Sequence, residues 1–116
     1  MNNGLKILEE RDTGYGRIQK FAFANGHTED AADHLIQLLA TAEISLMNGE
    51  DEGGEGSTTI RKTENGFETK DGGHGWQSEW KIMTHGQVRV RMIELAPHNM
   101  GGHWSTEGSI RYRNGE

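Results

Sequence analysis

Two kinds of hydrophobic spacing run along this chain. Leu5 and Ile7 alternate with polar neighbours, as do Phe21 and Phe23, on either side of Asp12-Thr13-Gly14-Tyr15-Gly16. A period of two interrupted by a glycine-rich break predicts a β-hairpin of residues 4–11 and 17–24. From Thr28 the period lengthens. Ala32, Leu35, Ile36, Leu39, Ala42, Leu46 and Met47 recur at three- and four-residue steps, which predicts one amphipathic helix over about 28–47. Thr28 is placed to cap it, Glu29, Asp30 and Asp33 set negative charge near the positive end of its dipole, and Asn48-Gly49 supplies a stop.

Beyond the helix the period returns to two. Asn65-Gly66 is a two-residue turn signal joining Thr58–Glu64 to Phe67–Lys70; with only Ile60 and Phe67 as large apolar groups, this hairpin is expected to project from the body. Trp76, Trp80 and Ile82 share one parity and Val88, Val90 and Met92 the other. A three-residue loop, Thr84-His85-Gly86, pairs Ile82 with Val88, Trp80 with Val90 and Glu79 with Arg91. A one-residue slip would split the apolar groups between faces, so burial favours that register. Pro97 ends the strand, Asn99–Gly102 form a flexible turn, and a last strand near Ser109–Arg113 sets Ile110 and Tyr112 opposite Arg111 and Arg113. The fold class expected is α+β: an antiparallel sheet of five to seven strands with one main helix packed on one face.

Composition sharpens this picture. Leu, Ile, Val and Phe supply only 20 of 116 residues, a share under the ~20% at which a charged chain struggles to build a core. A single domain of residues 1–116 with a thin core, stabilised as a homodimer or by a partner, is the expectation. Residues 49–56, nearly all Gly, Glu and Asp, are expected to form a mobile acidic loop. They are no phosphate loop, because Gly56 is followed by Ser57 and no lysine is there to reach a phosphate. Cysteine is absent, which removes disulfides and thiolate chemistry. No apolar run approaches the ~18 residues that span a bilayer and no signal peptide is evident, so no membrane partner and a cytoplasmic location are expected.

Charge is segregated. Residues 1–56 carry four Lys/Arg against eleven Asp/Glu, and residues 57–116 carry eight against seven. An acidic half at net charge −6 disfavours duplex DNA and steers basic partners. The acidic candidates for partner contact are Glu29, Asp30, Asp33, Glu50, Asp51, Glu52 and Glu55. In the expected hairpin register Lys81, Arg89 and Arg91 point away from the core, and Arg111 and Arg113 join them on one sheet face. With Trp104 near two glycines, Arg89, Arg91, Arg111 and Arg113 form a candidate anion or nucleotide site.

Reaction chemistry finds little footing. No serine lies in a nucleophile elbow, and the clustered carboxylates lie in a loop too wet to tune their pKa values. His98-x4-His103, with His74, has spacing that zinc accepts, but no carboxylate lies close in sequence to orient a ligand. The expectation is therefore a non-catalytic binding protein without a cofactor: a small acidic inhibitor of a nucleic-acid-handling protein, of the virus- or mobile-element type. Two alternatives are a binder of a phosphorylated small molecule or nucleotide through the Arg/Trp face, and a metal-dependent hydrolase using the histidines.

Overall fold

A computed structural model describes residues 3–14, 16–49, 56–101 and 106–113. Its elements are β1 (Leu5–Asp12), β2 (Arg17–Phe23), α1 (Thr28–Leu38), β3 (Ala42–Met47), β4 (Ser57–Thr63), β5 (Gly66–Gly73), β6 (Trp76–Gln77), β7 (Lys81–Met83), α2 (His85–Leu95), a 3-10 turn (Ala96–His98) and β8 (Gly108–Tyr112). The strands form one antiparallel sheet in the order β1-β2-β8-β3-β4-β5-β6, with β7 also paired to β5. The α+β class with a helix packed on one face is as expected. The sheet has eight strands, however, and a second helix joins the first.

Alternation decides what is buried. Phe21, Ile44, Leu46, Ile60, Phe67 and Ile110 point to one side, where they meet Ala31, Ala32, Leu35 and Ile36 of α1 and Val88, Met92 and Leu95 of α2. Gly108 lies in the row between Phe21 and Leu46; a Cβ there would come within 2.6 Å of the Phe21 ring and 2.9 Å of Leu46. The missing side chain is what lets those two large residues close the core over β8. No helix among the described residues packs on the other side of the sheet.

Three expected elements are corrected. The helix ends at Leu38, and Ala42–Met47 is the strand β3. Leu39, Ala42 and Leu46 fit a helical step, but Ala42, Ile44 and Leu46 also fit a period of two, and pairing with both β4 and β8 settles the choice. His27 rather than Thr28 occupies the cap position, without a side-chain cap bond. Residues 85–95 form a helix where a strand was expected, so the Ile82–Val88 and Trp80–Val90 pairs do not form. Thr84 starts it with a capping box: its Oγ1 accepts from Gln87 N at 3.2 Å, and Gln87 Oε1 accepts from Thr84 N at 2.9 Å. Val88, Met92 and Leu95 then bury at helical spacing, and Pro97 falls in the following 3-10 turn.

The β4–β5 hairpin does not project. It lies within the sheet, with Ile60 and Phe67 buried. Thr63 pairs with Gly66, so the loop is Glu64-Asn65, one residue earlier than the Asn-Gly signal suggests. That register sets Arg61 opposite Glu68, where Asn65-Gly66 as the loop would set it opposite Lys70. Opposite charges across a ladder stabilise and like charges destabilise it, which favours the observed choice. The segment 49–56, apart from Gly49 and Gly56, lies outside the described residues.

Asn99, expected in a flexible turn, is fully buried. Its Oδ1 accepts from Met47 N at 2.9 Å, and its Nδ2 donates to Met47 O at 2.9 Å and to Leu95 O at 2.8 Å. Its own carbonyl accepts from Phe23 N at 2.7 Å. One residue thus joins β2, through its backbone carbonyl, to β3 and the end of α2, through its side-chain amide. Replacing Asn99 with Ala strands several buried donors and acceptors at once, and is expected to cost about 3 kcal/mol. Urea unfolding of Asn99→Ala checks this; a loss under about 1 kcal/mol would show that the hub is dispensable.

Candidate functional site

The uncovered face is built from the residues that alternate with the core residues along each strand. One cross-strand row reads Ile18 (β2), Arg111 (β8), Glu43 (β3), Arg61 (β4), Glu68 (β5), Ile82 (β7), as the paired residues Ile18↔Arg111, Arg111↔Glu43, Arg61↔Glu68 and Glu68↔Ile82 show. Glu43 meets Arg61 one step beyond the Ile44↔Ile60 pair. The row beside it reads Lys20, Ser109, Ser45, Thr59, Lys70, and Ser45 Oγ lies 3.2 Å from Thr59 Oγ1. The sheet therefore places two ordered bands of polar groups on its open side, one charged and one largely of hydroxyls.

Arg61 is held firmly. Its Nε donates to Glu68 Oε1 at 2.9 Å, its Nη2 lies 2.9 Å from the same oxygen, and its guanidinium stands 3.6 Å from the centre of the Trp80 ring. Trp80 shares the parity of Ile82, two residues on, and so lies on this face, and the β6–β7 edge just before it carries one extra residue. Lys70 and Asp71 of β5 face Ser78, Glu79 and Trp80 between the Gly72↔Gln77 and Thr69↔Lys81 pairs.

At one end of the face a hollow of about 630 Å³ opens between β8, β3, β4 and the tip of the β1–β2 hairpin. Among the described residues Arg61, Lys62, Arg111 and Arg113 line it with a single carboxylate, Glu43, and Ile18 forms part of its wall. Arg113 donates from Nη1 to Ala40 O at 3.3 Å. No ion pair engages Arg111 among the described residues. Arg17 stacks 4.2 Å from the centre of the Tyr112 ring, whose hydroxyl donates to Gln19 at 2.8 Å.

The expected arginine cluster is divided. Arg111 and Arg113 do share this region, but Arg89 and Arg91 sit on α2, on the covered side of the sheet. Arg89 Nε donates to Asp33 Oδ1 at 2.7 Å and its Nη2 lies 3.9 Å from Glu29. Arg91 pairs with Asp71 at 3.6 Å and Glu94 at 3.7 Å. Asp71 also accepts from Thr58 Oγ1 at 2.5 Å and approaches Lys81 at 3.9 Å. Arg91 and Lys81 thus belong to the packing of α2 against β5 and β7. Trp104 lies outside the described residues.

Of the acidic set, Glu29, Asp30 and Asp33 project from α1, and Glu50, Asp51, Glu52 and Glu55 lie outside the described residues. Of the histidines, His74 is exposed in the β5–β6 turn, His98 packs beside Gly49, and His103 lies outside the described residues. Among the described residues no three His, Asp or Glu side chains are grouped to hold a metal ion, and no helix is long and apolar enough to cross a membrane. Sequence reasoning missed Glu43, Arg61, Lys62 and Trp80. Glu43 and Arg61 carry a usable signal, the alternation about Ile44 and Ile60, once Ala42–Met47 is read as strand; Lys62 shares the parity of Ile60 and lies opposite Phe67, so alternation does not point to it. Comparison with protein-family models, curated proteins and solved structures finds no match to this chain.

Two exposed carboxylates are perturbed. The hydrogen bond from Arg89 holds the Asp33 carboxyl below its ordinary range and raises Arg89 in turn. The hydrogen bond from Arg11 does the same to Glu9, aided by Lys20. A carboxyl lowered by folding contributes stability that is fully present above its unfolded value near ~3.9 and is lost as the pH falls through the folded value. Asp33→Asn is accordingly expected to flatten the fall in melting temperature below about pH 4. Thermal melts across that acid range check this. A variant as acid-sensitive as the parent would show that the α1–α2 pair contributes nothing measurable.

Proposed function

We propose that this protein acts by binding, without covalent chemistry, and that the hollow at the end of the uncovered sheet face takes a phosphorylated small molecule or nucleotide. One observation carries the reading: among the described residues, four cationic side chains and one carboxylate line a hollow of about 630 Å³, in a chain of net charge −6. Guanidinium groups present paired donors that match phosphate oxygens, and the volume lies within the range of small-ligand sites. Arg111 and Arg113 are the central residues, with Arg61 and Lys62 at the rim. Arg61 already serves Glu68 and Trp80, so it orients more than it recruits.

A second reading keeps a specific observation. Glu29 and Asp30 hold their side chains 75% and 69% exposed in the first turn of α1, which suits an acidic contact to a basic, nucleic-acid-handling partner, as an inhibitor would make. Asp33 supports it less, because Arg89 already engages it. The two readings use opposite sides of the molecule and can be separated.

A panel of nucleotides and sugar phosphates is expected to raise the melting temperature, and Arg111→Ala and Arg113→Ala to abolish the rise while leaving the unliganded melt within about 0.5 kcal/mol of the parent. Stabilisation that survives both substitutions would reject the site. No stabilisation by any phosphorylated compound, together with salt-sensitive capture of a basic protein lost in Glu29→Gln/Asp30→Asn, would favour the second reading.

A further inference from the structure

We infer that the uncovered face is also where a second copy of this chain docks, face to face, about a two-fold axis that runs along the strands between β3 and β4. The inference stands apart from the ligand reading and rests on the order of side chains in the charged row. Across the sheet that row is apolar, positive, negative, positive, negative, apolar: Ile18, Arg111, Glu43, Arg61, Glu68, Ile82.

Read in the opposite direction the row is its own complement. The stated axis reverses strand order while keeping each residue at its height along the strands. It lays Arg111 over Glu68 of the second copy, Glu43 over Arg61 of the second copy, and Ile18 over Ile82 of the second copy, each contact occurring twice by symmetry. The neighbouring row is compatible, since Ser45 then meets Thr59 and Ser109 meets Lys70 of the second copy, with no lysine set on a lysine. The other in-plane axis, across the strands, would stack Arg111 on Arg111 and Glu43 on Glu43. Charge therefore selects one arrangement. Aligned sheets cross at about 30°, an offset that long Arg and Glu side chains span.

Two further features fit. Ile82 is 82% exposed, much the most exposed large apolar side chain at this edge, and the axis brings Ile18 to it. Trp80 rises over the β4–β5 half by resting on Arg61; the two-fold carries it over the β3–β8 half, where the hollow lies. Ridge meets recess.

Size sets the strength. Six strands ~4.8 Å apart and about six residues of ~3.3 Å rise make a face of roughly 600 Å², below the ~800 Å² per partner of a standard interface. The dimer is accordingly weak and loosened by salt, because its central contacts are ionic. It competes with a ligand for the hollow.

Sedimentation across a range of protein concentrations tests this with the full chain. The parent is expected to dimerise. Arg111→Glu alone and Glu68→Arg alone each set like charges together and are expected to weaken dimerisation tenfold or more, whereas an equimolar mixture of the two variants restores it through heterodimers. Glu68 also serves Arg61, so Ile82→Asp provides a second probe that leaves the charged row intact and is likewise expected to give monomer. A parent that stays monomeric at all concentrations, a dimer indifferent to Arg111→Glu and Ile82→Asp, or variants that fail to recover on mixing would overturn the proposal. Ile82 lies outside the hollow, so the Ile82→Asp monomer should still bind a phosphorylated ligand. Loss of dimer with ligand binding retained, or the reverse, separates failure of one reading from failure of the other.

Discussion

Along β3, β4, β5 and β8, apolar and polar residues alternate, and the sheet has helices on one side only. Everything else about the molecule follows from that division. The apolar partners must face α1 and α2, because burying Ile44, Leu46, Ile60, Phe67 and Ile110 is what a chain with so few large aliphatics has to stabilise it; each contributes roughly 1.5–3 kcal/mol when fully buried. The charged partners are then forced outward together, and antiparallel register lines them into rows. A single strand shifted by one residue would invert its whole contribution to both faces, so the packing of the core and the layout of the outer surface are one decision.

The helices are tied to that sheet by polar contacts at its margins. Asn99 joins α2 to β2 and β3 from inside, Asp71 collects Thr58, Lys81 and Arg91 at the β5 edge, and Asp33 links α1 to Arg89 of α2. Buried polar groups are worth little net when satisfied and cost heavily when deprived of partners. The contacts of Asn99 and Asp71 therefore specify how the helices sit more than they add stability, while the exposed Asp33–Arg89 pair between the helices is worth little either way. Asp33 and Asp71 also engage Arg89 and Arg91 in ion pairs.

The class of fold was legible in the sequence because alternation and glycine breaks mark β1, β2, β4, β5 and β8 directly. Ala42–Met47 was not, since Leu39, Ala42 and Leu46 satisfy helical and strand periods equally and only the pairing of β3 with two neighbours resolves them. Residues 85–95 failed for a related reason: Val88, Val90 and Met92 alternate, and that outweighed the Thr84–Gln87 capping signature just before them. Of the five candidate ligand residues, Arg111 and Arg113 lie near each other, because they stand at and just past the end of β8. Glu43 and Arg61 were invisible until β3 and the β4–β5 register were known, and Trp80, though it shares the parity of Ile82, goes to the buried face when residues 85–95 are read as its partner strand.

The central claim is that recognition belongs to the uncovered sheet face. Amide chemical shifts of the labelled protein during titration with inorganic triphosphate test it most directly. The account predicts that the largest changes fall at Glu43, Arg61, Lys62 and residues 111–113, with α1 and α2 undisturbed. Changes confined to residues 28–38 or 85–95, with β3, β4 and β8 silent, would contradict it.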